Sequence, residues 1–386
     1  FFFKSLEDVN GKGVLYENGL PIFEFSLDLY NIGPNEYKYI NIPINESLII
    51  NNYSDYYLNF YFNLKGDTKW AKKNHLIASD QFIIQNKKGK LKLKDFKKDN
   101  PKILNNSKIS YERNNDGIVV SASNVKYQFN FDQGQLLKVY LDEKEFLSSP
   151  IIHNIWRAPT DNDRGGSYEE SFYSRWIKAG YNNLKRTVES VNYNKIDENS
   201  IKVSVEEYYS NNKTKIQVFI TYIVSIDGDL TIEVETDINP ILPVIPKIGL
   251  TTQIPSTFST VKWYGRGPYE SYPDRKLGSF IGLYSKSVDE LYFPYIKPQE
   301  NGNRTDTRWM LISDSNNKGI LIEAEEYFNF SAHRYSLENL SKSKHTVDLK
   351  NSNYINLNID HKMMGLGGDD SWNPRTHDEF LIKPGL

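Results

Sequence analysis

Cysteine is absent from all 386 residues, which excludes disulfides, thiolate metal sites and cysteine nucleophiles. It fits an intracellular protein, and a cytoplasmic location is expected. No window approaches the ~18 apolar residues of a membrane-spanning helix, and no charged-then-apolar leader opens the chain. Neither sign of charge is in excess. With 47 Lys and Arg against 49 Asp and Glu, the net charge is -2, so no overall field favours nucleic acid or an anionic membrane. The six histidines (His75, His153, His333, His345, His361 and His377) are scattered, without the close spacing of a zinc site. No Gly-x-Ser-x-Gly elbow occurs to support a serine nucleophile. Arginine is the other scarcity: 11 Arg stand against 36 Lys, and none precedes Arg113.

What is present is two-residue alternation. Ile201, Val203 and Val205 alternate with polar residues, as do Ile216, Val218, Ile220 and Tyr222; after Asp227-Gly228 come Leu230, Ile232 and Val234. This marks strands with one buried face, and the Asp-Gly pair marks a hairpin. Tyr127, Phe129 and Phe131 run into Asp132-Gln133-Gly134 and Leu136, a second hairpin. Tyr56, Leu58, Phe60 and Phe62 read as a strand in the first part of the chain. Repeated short strands, with 39% hydrophobic and 14% aromatic residues to fill a core, predict antiparallel sandwiches. One helix is expected, capped by Ser167 with Glu170 three residues on, lined by Phe172, Trp176 and Ile177, and ended by Gly180. Residues 87–102 hold eight Lys; Lys92 and Lys94 alternate with Leu91 and Leu93, the pattern of a solvated edge strand. Asn100-Pro101 and Asn105-Asn106-Ser107 then read as a connector.

Three stretches break the Lys/Asn/Ile background: Trp156 to Asp163, Tyr264 to Arg308, and Gly365 to Trp372. They hold Arg157, Arg266, Arg275, Arg304 and Arg308, with Arg375 just beyond, inside loops rich in Gly, Pro and Asp. A planar, five-donor guanidinium is needed where forked hydrogen bonds must be made, so these loops should use its geometry. Their carboxylates are Asp161, Asp163, Glu270, Asp274, Glu300, Asp306, Asp369 and Asp370. Each is read first as a turn-forming or Arg-pairing group. Gly365-Leu366-Gly367-Gly368 lacks the surrounding βαβ unit of a dinucleotide site and reads as a tight turn. Trp372, between two aspartates and Asn373-Pro374, sits in a polar loop, where an indole can be a platform for the apolar face of a sugar.

Taken together these stretches resemble bacterial β-galactosidases of glycoside hydrolase family 2. The carriers are Tyr264-Gly265-Arg266-Gly267-Pro268-Tyr269-Glu270-Ser271-Tyr272-Pro273-Asp274-Arg275 and Pro294 to Asp306, with Trp156 to Asp163 as the opening motif and Gly367 to Trp372 as the closing one. All four occur in the family's order. The resemblance implies an all-β chain: a partial immunoglobulin-like sandwich (1–97), a linker (98–110), and a large antiparallel β-sandwich of galactose mutarotase-like type (111–386) lacking its last strand. It implies a share in retaining hydrolysis of terminal β-D-galactosyl residues. The two glutamates for that chemistry, which should lie about 5–5.5 Å apart, belong to a preceding TIM barrel, so no residue here is assigned as catalytic. Trp372 matches an aromatic that stacks on incoming substrate, and Gly165 matches the glycine of a mobile active-site loop. Mg2+ and Na+ or K+ are implied for the whole enzyme through the barrel, and none for this chain. The implied partners are a β-galactoside, a catalytic barrel or large subunit, and further copies in an oligomer. Two other readings remain: a non-catalytic carbohydrate-binding sandwich centred on Trp372, and a mutarotase-like sandwich using His153, His333 or His361 with a carboxylate.

Overall fold

The structure is a computed structural model that describes residues 4–45, 48–49, 54–86, 108–166, 170–370, 372 and 374–385. The first part is one antiparallel sheet in the order β2-β1-β3-β4: β1 (Val9–Glu17), β2 (Leu20–Leu27), β3 (Tyr56–Leu64) and β4 (Leu76–Gln85). Asn18 and Gly19 connect β1 to β2 with positive φ at both positions (50° and 81°), the backbone of a tight hairpin turn. One face carries Val9 and Phe62 and is covered by Leu29, Ile32 and Ile40 from the segment that follows β2.

The second part is a sandwich of three sheets. A five-stranded meander holds β5 (Ile109–Arg113), β6 (Gly117–Ala122), β7 (Val125–Asn130), β8 (Gln135–Leu141) and β9 (Lys144–Glu145). A four-stranded meander holds β11 (Lys185–Asp197), β12 (Ser200–Ser210), β13 (Lys215–Ser225) and β14 (Leu230–Ile238). The largest sheet runs β10-β15-β20-β19-β18-β16-β17, with β10 (Ile152–Asn154), β15 (Lys247–Pro255), β16 (Thr260–Gly267), β17 (Phe280–Ser287), β18 (Arg304–Ser313), β19 (Gly319–His333) and β20 (Tyr354–Met363). Among the described residues every pairing is antiparallel, and the two expected hairpins form, β7 with β8 and β13 with β14. Alternation works as expected on β12 and β13: Ile201, Val203, Val205, Ile216, Val218, Ile220 and Tyr222 are buried in one core with Trp263, Met310, Phe330 and Leu357 of the large sheet.

The helices differ in part from expectation. The eight-residue α2 (Phe172–Ala179) ends at Gly180 in the left-handed conformation, but its cap is Ser171, whose hydroxyl accepts from Ser174 N–H. Ser167, the expected cap, lies outside the described residues, as do the Lys-rich stretch 87–102 and the Asn105-Asn106-Ser107 connector. Three short helices are added: α1 (Asp161–Arg164), α3 (Val288–Leu291) and α4 (Leu337–Lys342). No helix among the described residues is long and apolar enough to cross a membrane.

The two parts share a packed interface. On β16, β17 and β18 the residues facing away from the main core, Tyr264, Ile281 and Trp309, meet Tyr57 of β3. Gln81 of β4 donates to Ile281 O (2.9 Å) and accepts from Ile281 N–H (2.8 Å), standing in for a neighbouring strand along the edge of β17. Arg308 donates from Nε to Asp55 (3.0 Å) and from Nη2 to Tyr57 Oη (2.6 Å), with both charged partners buried. Covered on both faces, β18 is apolar in succession from Trp309 to Ile312 rather than alternating.

Candidate functional site

The three Gly/Arg/Asp stretches fold into loops that bond to one another, tying the segments around 156–166, 268–276, 292–303 and 364–377. At the centre is Arg157, fully buried. Its Nε and Nη2 donate to the two oxygens of Asp163 (3.2 and 2.7 Å), and Nη1 and Nη2 donate to Met364 O (2.6 Å) and Gly365 O (3.1 Å). Asp163 also closes α1: it accepts from Thr160 N–H (2.8 Å), while Thr160 Oγ1 accepts from Asp163 N–H (3.1 Å). One fork of donors thereby joins the opening and closing motifs, 207 residues apart.

The other guanidinium groups act similarly. Arg266 pairs with Asp306 (2.5 Å) and donates to Lys276 O and Ser279 O. Arg275 pairs with Glu270, which also accepts from Tyr295 Oη–H and from Gly302 N–H (2.7 Å). Arg304 is buried and donates to the carbonyls of Leu291, Gly302 and Pro268; burial lowers its pKa to about 10. For Arg157, Arg266, Arg275, Arg304 and Arg308 the guanidinium geometry is used as expected, each holding backbone or a carboxylate of the scaffold.

The eight carboxylates take up scaffold roles too. Asp161 accepts from Gln299 Nε2 (3.2 Å) and lies near Lys297. Asp274 accepts from the backbone N–H groups of Leu366 (3.0 Å) and Gly367 (2.7 Å). Asp369 bonds His377 Nε2, and Asp370 accepts from Trp372 N–H (2.7 Å). Glu300 stands apart chemically. It is buried, accepts from Tyr272 Oη–H (3.3 Å), and burial pushes its carboxyl up to about 7 even though Lys247 and Arg157 pull it down.

Trp372 projects from the closing loop with 93% of its surface exposed. Gly165 follows α1 with φ -73° and ψ 168°, an ordinary extended backbone. The need for glycine there is contact, not angle: a Cβ at Gly165 would lie 2.5 Å from Pro374 Cγ. The backbone only glycine adopts freely falls at Gly166 (φ 83°), which has open space around it. Gly165 therefore lies against the loop that carries Trp372, at Pro374 two residues further on.

Two of the mutarotase candidates lie inside the protein. His153 and His333 are buried, and burial drops both to about 4, so each is a neutral imidazole. His153 bonds Thr236 Oγ1 (3.1 Å) and His333 bonds Asn301 O (2.9 Å). Among the described residues no group of three or more His, Asp or Glu is placed to hold a metal ion. Sequence reasoning missed the bracing roles of Asp274 and Asn162. No local signal marks them, since their partners lie 92 and 205 residues away.

Fold and loops define a two-part β protein with a bonded loop platform from which an indole protrudes. Residues 121–385 match the family model described as beta galactosidase small chain, and residues 1–85 match beta-galactosidase, domain 4. The chain belongs to the beta-galactosidase small chain family. It is 33% identical over 375 residues to a beta-galactosidase of Pseudoalteromonas haloplanktis, covering 96% of this chain and 35% of that one. It is 34% identical over 334 residues to one of Vibrio cholerae, covering 85% and 31%. The chain therefore spans about a third of the length of the curated relatives it matches. Among solved structures, a galactose mutarotase-like protein from Lactobacillus casei aligns at 10% identity over 66% of this chain and 88% of that one, with a TM-score of 0.32.

Proposed function

We propose that this chain is the C-terminal portion of a cytoplasmic β-galactosidase and completes the substrate pocket of that enzyme with Trp372. The reaction is hydrolysis of terminal β-D-galactosyl residues, lactose-type substrates included, by a retaining route. Its two carboxyl groups come from a barrel supplied by the rest of the enzyme or by a large subunit, and the assembled enzyme is an oligomer. Mg2+ and Na+ or K+ belong to that barrel, and no step is assigned to them here. The observation that carries the reading is the contrast at the closing loop: an indole 93% exposed on a root held by Arg157 and Asp274. A flat apolar ring kept out of the core on a fixed stem suits stacking against the C–H face of a pyranose. Seven of the eight island carboxylates pair with Arg, Lys, His, Gln or backbone and the eighth, Glu300, is buried against Tyr272 away from solvent, which supports this chain as a wall rather than a source of acid and nucleophile.

The test is reconstitution. The purified chain alone should not cleave nitrophenyl β-galactoside, and combined with the N-terminal two thirds of a relative it should restore cleavage. Hydrolysis by the chain alone, or no activity from any combination that forms a stable complex, overturns the proposal.

A further inference from the structure

We propose that Asp274 and Asn162 are positioning residues for Trp372, and that the Gly165 turn and the Trp372 loop form one mechanical unit. The inference deepens the function proposed above and rests on it only for the sugar. Where β20 ends at Met363, four consecutive residues have backbone groups taken up by two ionic side chains. Arg157 donates to the carbonyls of Met364 and Gly365, and Asp274 accepts from the N–H groups of Leu366 and Gly367. Paired N–H groups on a carboxylate form a charge-assisted seat, stronger than a neutral turn bond. Asp274 is itself fixed, because Tyr272 and Arg275 exchange backbone bonds (3.0 and 2.9 Å) on either side of it and Tyr272 is fully buried. Gly365 is required by this arrangement: a Cβ there would fall 2.7 Å from the Asp274 carboxyl carbon.

The second tie runs to α1. Asn162 Nδ2 donates to Gly367 O (3.1 Å), and a Cβ on Gly368, whose φ is 88°, would fall 2.5 Å from that nitrogen. On the C-terminal side of Trp372, Gly165 approaches Pro374 so closely that a Cβ would fall 2.5 Å from Pro374 Cγ. Gly165, Gly365 and Gly368 are therefore close-approach points between the brace and the loop, beside the bonds that Asn162 and Asp274 make to Gly367. The α1 turn meets the loop both before Trp372, by the hydrogen bond at Gly367, and after it, by close approach at Pro374. A displacement of the turn must displace the stem of the ring.

The experiment uses the chain labelled with 5-fluorotryptophan. Its six tryptophans give separate 19F resonances, and the one lost in Trp372→Phe is assigned to Trp372. Asn162→Ala, Asp274→Asn and Gly165→Ala should each shift or broaden that resonance, while the other five stay in place and report an intact fold. Asp28→Asn, on the surface of the first part, should move none. A Trp372 resonance unmoved by both Asn162→Ala and Asp274→Asn overturns the proposal. In a full-length β-galactosidase carrying this segment, Asn162→Ala should raise KM for a galactoside by roughly three- to ten-fold, the weight of one hydrogen bond, with kcat little changed. It should add nothing to the KM of Trp372→Ala, because a positioning residue has no effect once the ring is gone. Full additivity of the two overturns the proposal. Should the resonance move while Trp372→Ala leaves KM untouched, the mechanical unit stands and the sugar-stacking role of the ring falls.

Discussion

Replacing Glu300 with Gln should make the protein more stable above neutral pH, with a smaller gain in mild acid. The side chain is buried under the loop platform, accepts from Tyr272 Oη–H, and has its pKa raised by burial from 4.5 to about 7. Between those two values the folded state holds a proton that the unfolded chain has released. Stability contributed by this group therefore falls as pH rises through the window, and the deficit is complete above 7. At about 1.4 kcal/mol per pH unit, the ionised carboxylate costs about 3 kcal/mol at pH 8. Gln has the same shape, still offers an oxygen to Tyr272, and carries no charge to desolvate. Urea unfolding at pH 5, 6, 7 and 8, followed by tryptophan fluorescence, gives the difference between Glu300→Gln and the parent. The expected difference is below about 1 kcal/mol at pH 5 and grows toward that figure in favour of Gln. A difference independent of pH, or one favouring Glu at pH 8, would show that Glu300 is an ionised partner of Arg157 or Lys247, and the burial argument would fail.

Trp372→Ala should change folding stability by less than ~0.5 kcal/mol, because an exposed side chain outside any special feature carries little packing energy; a larger loss by thermal denaturation would mean the ring is packed. Asp55→Ala should cost about 3–5 kcal/mol by stranding the buried charge of Arg308, and pairing it with Arg308→Met should recover part of the loss. Strict additivity in that double-mutant cycle, read by urea unfolding, would show that the two groups do not interact. His153 and His333, held neutral at about 4 against a usual 6.5, favour the folded state above 6.5 and lose that contribution as pH falls toward 4. Gln at either position should flatten the decline of stability between pH 6.5 and 4, measured by urea midpoint, and an unchanged slope would show that the histidine is already protonated when folded.

Strands were legible because their periodicity is local. Ile201 to Val205 and Ile216 to Tyr222 face one core, and the turns at Asp227-Gly228 and Asp132-Gln133-Gly134 close the hairpins expected of them. The end of the helix was legible at Gly180, but its start was not: Ser167 and Ser171 are four residues apart, and only tertiary placement puts Ser171 at the cap. The outward faces of β16 to β18 could not be read as buried, because their cover, Tyr57 and Gln81, comes from about 200 residues earlier. For the same reason the loops were recognisable as special while their pairings stayed hidden. Arg157 could have met any of several carboxylates, and its choice of Asp163 and the Met364 and Gly365 carbonyls is a fact of three-dimensional proximity.

That proximity explains why arginine is rationed in a chain so rich in lysine. Burying a cation is costly, and a hydrophobic replacement of similar volume would often stabilise as well or better. Stability alone therefore does not account for Arg157, Arg304 and Arg308, all nearly fully buried. What they supply is divergent donation from one rigid plane: Arg157 reaches one carboxylate and two carbonyls, Arg304 three carbonyls, and Arg308 a carboxylate, a carbonyl and two tyrosine hydroxyls. Lysine has three donors on a single nitrogen, and the buried Lys247 accordingly serves a compact cluster, Asp360 and Asn358 on β20. Lysine thus suffices where a charge must be matched at one point. Arginine appears where separate loops must be fixed at a set distance, as at the stem of an indole that has no packing of its own to hold it.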